Sequence, residues 1–412
     1  MTLTQEQKQF YDDNGYLVVR GAFTLDELER LDGGFMRAVK SGKHLNNDKA
    51  YPAPGTLYTV EGQTQDDPDL LFIAEHPAVV GAVESLLGGP ACLSAFVSYL
   101  KTPGAGGTGG DYQGSHPTGH CDYKTYQQAG SSLHWLFCII SLTHLDEETG
   151  PLLVSPGSHK LSKIIPVTEN IHRVDRAQAS DIAPLIDAQL RRGDLCFMHG
   201  FTWHEGKGNR SDHDRYGIYN KYRARNAPPG CGPQLFKEKS VRALSESGRA
   251  LVPHHGDTPV VEARLIVVRK DNVLLVPNGG HGWKLPGTEA ALEELKQPSV
   301  TAHIITHLEQ ALFESHGLDI PWMTYVADFQ VAEGFRRVFA FVDTGDATAG
   351  SGFRWCSGEE IRTLAAAGEL AAEDADAVHR WQTADYLRGI GQSPARAKQA
   401  SSSHQVKRGA PS

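Results

Sequence analysis

His120, Asp122, His204 and Arg215 are the residues of this 412-residue chain whose types and spacing can do chemistry. Two imidazoles and one carboxylate can occupy one face of a metal ion and leave the opposite face open to reactants, the ligand arrangement of non-haem Fe(II) oxygenases. Only Cys121 separates His120 from Asp122, so on a strand these two side chains project from one face and Cys121 turns away. A single strand can therefore supply two ligands, and His204 has to arrive from a second strand of the sheet. Arg215 follows His204 by 11 residues, enough to turn and come back along the neighbouring strand. A planar guanidinium there can grip a carboxylate through two parallel N–H bonds, which a lysine ammonium does not reproduce. Lys101 is the alternative basic residue for that task.

Elements must bring these residues together across long gaps. Thr4 with Gln7, and Thr24 with Glu27, are capping signals for two N-terminal helices, with Tyr16-Leu17-Val18-Val19 as a short strand between them. Ala91 to Ala224 reads as several short strands separated by turn signals. The Gly-rich stretch Thr102 to Gly119, with Tyr112, Gln113, His116 and Thr118, leads into His120 as a candidate lid. Gly150-Pro151-Leu152-Leu153-Val154-Ser155-Pro156-Gly157-Ser158-His159-Lys160 lies between the ligand segments. Arg192-Gly193-Asp194-Leu195 precedes His204, and Gly208-Asn209-Arg210-Ser211 precedes Arg215.

In that order of motifs the first 235 residues resemble the phytanoyl-CoA dioxygenase superfamily and, within it, the ectoine hydroxylase branch, whose His-x-Asp-Phe-x-Thr-Trp stretch His120-Cys121-Asp122-Tyr123-Lys124-Thr125-Tyr126 matches closely. The resemblance implies a double-stranded β-helix, a cupin-like jelly roll with flanking helices. It implies Fe(II) held by His120, Asp122 and His204, with 2-oxoglutarate and O2 as co-substrates. The far carboxylate of 2-oxoglutarate would sit on Arg215, and Thr125 would touch it near the metal. One departure is Gly206, where the family often has a serine. Asp122 speaks against the related halogenases, which carry a small residue at that position. His116, His134, His144, His159, His172 and His199 compete as ligands; His159 belongs to the Pro-Gly-Ser-His turn and reads as structural, and His199 would serve only with a slipped register.

Length and composition bound the rest. A chain of 412 residues exceeds what one core usually supports, so two domains are expected. Hydrophobic residues at 40% and charged residues at 22% describe an ordinary soluble protein, and a net charge of −9 offers no general attraction to nucleic acid or an anionic membrane. No signal core and no bilayer-length apolar stretch is apparent, so the expected location is cytoplasmic. Six cysteines without a Cys-x-x-Cys pair suggest small buried hydrophobes and no disulfide framework.

Pro228-Pro229-Gly230-Cys231-Gly232-Pro233 closes the first domain, residues 236–259 read as a polar linker, and a new pattern runs over 260–390. Strands at Val260–Val268 and Asn272–Val276, the turn Trp283-Lys284-Leu285-Pro286-Gly287 and the helix Ala302–His316 resemble an α/β Nudix domain. A working Nudix box clusters glutamates to hold Mg²⁺ or Mn²⁺. Aligned on Gly317-Leu318, its Arg-Glu-x-x-Glu-Glu core becomes Gln310-Ala311-Leu312-Phe313-Glu314-Ser315, Thr288 replaces the second glycine, and Glu294 lies eight residues too far away. Glu314 alone cannot build the cluster, so this domain is expected not to be a hydrolase. Residues 391–412 read as a disordered tail.

The expectation is thus an Fe(II)- and 2-oxoglutarate-dependent dioxygenase hydroxylating a C–H bond of a small metabolite. Desaturation, epimerisation or cyclisation stay open as outcomes. The rivals are a Nudix-type pyrophosphohydrolase with an accessory jelly roll, and a binding protein built of two degenerate domains. Neither substrate nor oligomeric state is legible.

Overall fold

The computed structural model describes residues 2–42, 45, 49–61, 67–107, 119–121, 135–166, 172–175, 177–225, 236–252, 255, 260–280, 282–289, 301–320, 323–343 and 352–383. Helix α1 (Gln5–Asn14) begins where the Thr4 hydroxyl accepts the Gln7 N–H and the Gln7 side chain accepts the Thr4 N–H; it ends at Gly15, whose φ of 78° is left-handed. Helix α2 (Leu25–Ser41) has the same reciprocal cap from Thr24 and Glu27. It buries Leu28, Leu31, Phe35, Ala38 and Val39, spaced to form one apolar stripe.

In chain order the strands of this half are β1 (Tyr16–Val19), β2 (Leu57–Glu61), β3 (Ala91–Lys101), β4 (Trp135–Ser141), β5 (Leu152–Val154), β6 (Lys163–Pro166), β7 (His172–Asp175), β8 (Ile186–Asp187), β9 (Leu195–His199), β10 (His204–Gly206) and β11 (Arg215–Ala224). They form a six-stranded sheet β1-β9-β4-β11-β3-β2, a three-stranded sheet β10-β5-β8 and the β6-β7 hairpin. Every pairing is antiparallel. Because strand side chains alternate, the large sheet is apolar on both faces. Leu100, Leu136, Cys138, Ile140, Ile218 and Tyr222 face the helices. Phe137, Ile139, Cys196 and Met198 meet Leu152 and Val154 of the small sheet. That second layer between the sheets is the jelly-roll interior.

Two expectations change here. Residues 236–252 are not a bare linker: short helices Glu238–Arg242 and Glu246–Leu251 carry Phe236, Val241, Leu244, Leu251 and Val252 into the first core. The Glu75 carboxylate ties them down by accepting the Ser245 N–H at 2.9 Å. The chain also does contain a stretch of membrane-spanning length and apolarity, Pro68–Leu87, 20 residues with a mean hydropathy of 1.5. It is built as consecutive helical pieces, Pro68–Leu71, Phe72–Glu75 and Pro77–Leu87. Leu70, Ile73, Val79, Ala82 and Val83 are buried in the first core, so its apolarity is that of a core helix.

The remaining strands are β12 (Val260–Arg269), β13 (Asn272–Pro277), β14 (Trp283–Lys284), β15 (Gly287–Thr288), β16 (Thr324–Val331), β17 (Gly334–Val342) and β18 (Arg354–Cys356). They make one seven-stranded sheet in which β12 and β17 run parallel. Helix Thr301–His316 contributes Ile304, Ile305, Leu308 and Leu312, and helix Ala372–Thr383 contributes Ala377, Val378 and Trp381, to a second core drawn entirely from residues 260–381. Arg337, fully buried, is held by both oxygens of Asp328 at 2.8 and 2.9 Å.

Candidate metal and co-substrate site

His120 and His204 are brought together by a reciprocal backbone pair: each residue's N–H donates to the other's carbonyl at 2.9 Å. Residues exchanging both bonds in this way present their side chains on one face, and the two imidazole centroids lie 4.6 Å apart. Gly119 permits the approach, since a β-carbon there would come within 3.0 Å of the His204 carbonyl oxygen. His204 is buried and its Nδ1 lies 3.0 Å from the Thr202 carbonyl oxygen. A carbonyl only accepts, so Nδ1 carries the proton and Nε2 keeps its lone pair for a metal. Cys121 is buried. Asp122 and Thr125 lie outside the described residues, and among the described residues no group of three metal-binding side chains is assembled.

Arg215 is not on the strand beside His204, as its spacing suggested. His204 belongs to β10 of the small sheet and Arg215 to β11 of the large one. The segment 207–214 crosses from one sheet to the other, so Arg215 and His204 stand on strands of different sheets. Lys101 is the cross-strand partner of Arg215, and such partners share a face. Its ammonium spans the gap, donating to the carbonyls of Gly206 at 2.9 Å and Lys207 at 2.6 Å. Gly206, the position where a serine was missing, thus contributes its backbone.

Arg215 is 3% exposed, yet its Nε and Nη2 find no hydrogen-bond partner among the described residues. Two buried N–H groups on one edge of a guanidinium are costly unless an acceptor arrives, and a carboxylate matches that edge in size and charge. Burial, then the neighbouring Arg215 charge, lower the Lys101 ammonium from its usual range to about 7, while Glu205 opposes the shift. Glu205 itself is paired with Lys207 at 2.8 Å. Arg215 and Lys101 are therefore a buried cationic pair suited to a carboxylate. Lys101, the alternative basic residue in the sequence, sits beside Arg215.

Asn209 holds the crossing segment in place. Its side-chain amide donates to the Lys101 carbonyl at 2.9 Å and the His213 carbonyl at 2.7 Å, and its Oδ1 accepts from Ser211. The start of the Gly-rich stretch is bonded to it too, with Gly104 N–H on the Asn209 carbonyl and Asn209 N–H on the Ala105 carbonyl. The rest of the candidate lid, including Tyr112, Gln113, His116 and Thr118, lies outside the described residues, as does His134. The rings of His159 and His199 lie 5.1 Å apart and tilted by 48° near the end of α1. His159 Nε2 meets the Asp12 carbonyl at 3.2 Å, and His199 Nδ1 accepts the Phe201 N–H at 3.1 Å. His144 is exposed beside Asp146.

In the second half, Glu314 is exposed on helix Thr301–His316 and accepts from the Gln310 amide at 2.9 Å. Glu309, one turn earlier and part-buried, has its carboxyl pushed up by burial and by Asp319. Glu294 lies outside the described residues.

A sequence profile of the phytanoyl-CoA dioxygenase (PhyH) family matches residues 11–217. A probable phytanoyl-CoA dioxygenase of Caenorhabditis elegans is 26% identical over 244 residues, covering 53% of this chain and 75% of the relative. The peroxisomal phytanoyl-CoA dioxygenase of Rattus norvegicus is 24% identical, covering 53% and 68%. An ectoine dioxygenase of Bordetella parapertussis is 24% identical, covering 38% of this chain and half of the relative. Among solved structures, the carbocyclase SnoK of nogalamycin biosynthesis superposes with a TM-score of 0.44 at 22% identity, covering 55% of this chain and 87% of that one. EctD from S. alaskensis with 2-oxoglutarate and 5-hydroxyectoine gives 0.43 at 17% identity, covering 55% and 78%.

Proposed function

The chain belongs to the phytanoyl-CoA dioxygenase family of Fe(II)- and 2-oxoglutarate-dependent dioxygenases, and from that premise we propose that it hydroxylates an unactivated C–H bond of a small metabolite. The observation that carries the reading is the pairing of His120 and His204, together with a buried Arg215 whose Nε and Nη2 have no partner among the described residues. In this reading His120, Asp122 and His204 hold the iron, His204 through Nε2. Bound there with 2-oxoglutarate and O2, Fe(II) supplies an oxidant strong enough to take a hydrogen atom from carbon, with succinate and CO2 as by-products. The chain's own residues position and exclude. Arg215 grips the far carboxylate of 2-oxoglutarate and Lys101 neutralises it, while Thr125 contacts the co-substrate near the metal. Leu152, Val154 and Met198 in the layer between the sheets keep water from the back of the site.

The first catalytic unit extends through residue 252 in this proposal, and residues 260–390 form a Nudix-like unit without hydrolytic activity. Support for the second part is Glu314, the one acid kept of the Arg-Glu-x-x-Glu-Glu core, which accepts from Gln310, the residue at the core's arginine position. The five described cysteines are free and buried, which suits a reducing cytoplasm. The test is a metabolite screen for succinate formation that requires Fe(II) and is stimulated by one compound class, followed by mass analysis of the product. A gain of one oxygen atom establishes hydroxylation; loss of two hydrogens or an unchanged mass with inverted stereochemistry would replace it by desaturation or epimerisation.

A further inference from the structure

The Thr202–Trp203 peptide unit is held from both ends, and the atoms that hold it are not metal ligands. Its carbonyl accepts Nδ1–H of His204 at 3.0 Å. Its N–H, on Trp203, donates to Ser158 Oγ at 2.9 Å, and the Ser158 hydroxyl donates in turn to the Ser155 carbonyl at 2.7 Å. The bonds run head to tail in one direction, from imidazole through peptide and hydroxyl to carbonyl, so each polarises the next. Ser158 is 1% exposed. The neighbouring Thr202, fully buried, donates its hydroxyl to the Gly15 carbonyl at 2.7 Å.

That second anchor lies on the end of α1. The last carbonyls of a helix lack partners within it, and here tertiary donors take them. Gly157 N–H binds the Asn14 carbonyl at 2.9 Å, and the Gly15 carbonyl accepts from His199 N–H at 2.8 Å as well as from Thr202. A β-carbon on Gly15 would lie 2.4 Å from His159 Nδ1 and 2.6 Å from Thr202 Oγ1, so the contact has no slack.

Resting on the iron-site reading above, we propose that Ser158 and Thr202 are positioning residues for His204. They fix the plane of the peptide whose carbonyl selects the imidazole tautomer and aims Nε2 at the metal. Partners of this kind typically contribute about 10- to 100-fold in metal affinity. The Pro-Gly-Ser-His turn and the α1 cap are thereby part of the metal site's support.

The experiment is anaerobic Co(II) titration of the full chain, with proton NMR of the Co(II) form to follow the exchangeable imidazole N–H of His204. Ser158→Ala should weaken Co(II) binding by about 10-fold or more and speed solvent exchange of that N–H. Thr202→Val should do the same to a smaller degree, and Thr202→Ser, which keeps the hydroxyl, should restore both readouts. If Ser158→Ala does not fold, the Thr202 pair decides alone. Affinities within about twofold of wild type and an unchanged N–H resonance in the folded variants overturn the positioning role, provided His204→Ala has lost the metal. A wild-type protein that binds no Co(II) overturns the iron-site reading itself.

Discussion

Raising the pH from about 6 to about 9 should loosen 2-oxoglutarate through one group, Lys101. In the free protein its ammonium is lowered to about 7 by burial and by Arg215, so at about pH 8 roughly nine-tenths of the molecules carry it neutral. A carboxylate on Arg215 would stand about 5 Å away, the spacing of cross-strand neighbours. At an effective dielectric of about 20 the attraction is about 3.3 kcal/mol, or about 2.4 pK units, which carries Lys101 above about 9. Binding at about pH 8 should therefore take up about 0.9 proton, against about 0.1 at pH 6, and affinity should fall about sixfold per pH unit between about 7 and 9. The stability of the ligand-free protein runs the other way. Its lowered lysine is uncharged when folded while the unfolded chain still binds the proton, so this group's contribution rises with pH from about 7 toward the ordinary value of 10.5. Anaerobic calorimetry of the iron-loaded protein, in buffers of different ionisation enthalpy, measures the uptake directly. Lys101→Met should abolish it, lowering affinity strongly at pH 6 and only about three- to fourfold at pH 9. An uptake below about 0.2 proton at pH 8 in the wild type would refute the reasoning.

Arg215→Leu should weaken 2-oxoglutarate by about 2–5 kcal/mol, thirtyfold or more, with Fe(II) affinity kept, and Arg215→Lys should recover only part; titration of both ligands checks this. Asp194→Ala should lower stability by about 2–3 kcal/mol in thermal or urea unfolding. That carboxylate is 3% exposed, accepts N–H bonds from Gly21 at 3.1 Å and Arg191 at 2.8 Å, and pairs with Arg20 at 2.5 Å. The full chain incubated with Mg²⁺ or Mn²⁺ and nucleoside diphosphate derivatives should release no product above background; release abolished by Glu314→Gln would make this a two-activity enzyme.

Local signals were legible because local physics writes them. Thr4 with Gln7 and Thr24 with Glu27 cap their helices as their spacing implies, and the strands at Tyr16, Val260 and Asn272 begin where alternation places them. The partnership of His120 with His204 followed from residue types in order, since metal chemistry limits which side chains can converge. What spacing cannot say is which sheet receives a returning strand. Eleven residues suffice both for a hairpin to the neighbour of β10 and for the crossing to β11 that occurs, and only packing of the whole interior decides between them. Lys101 gave little signal because its importance lies in being opposite Arg215, 114 positions away. The helices at 238–242 and 246–251 are too short for a 3.6-residue period to emerge, and charged residues such as Lys237, Glu238 and Lys239 made the segment look like a tether. Their burial comes from single apolar residues dropped into a core formed elsewhere.

The central claim is that this chain assembles iron and 2-oxoglutarate at one site. Anaerobic addition of Fe(II) and 2-oxoglutarate, followed by visible absorption spectroscopy, tests it without knowledge of the substrate. Chelation of ferrous iron by a 2-oxo acid gives a metal-to-ligand charge-transfer band. The band should appear, saturate at about one Fe(II) per chain, and vanish in His204→Ala and Asp122→Ala. A protein that shows no band at saturating iron and 2-oxoglutarate, or that keeps the full band in both variants, contradicts the account.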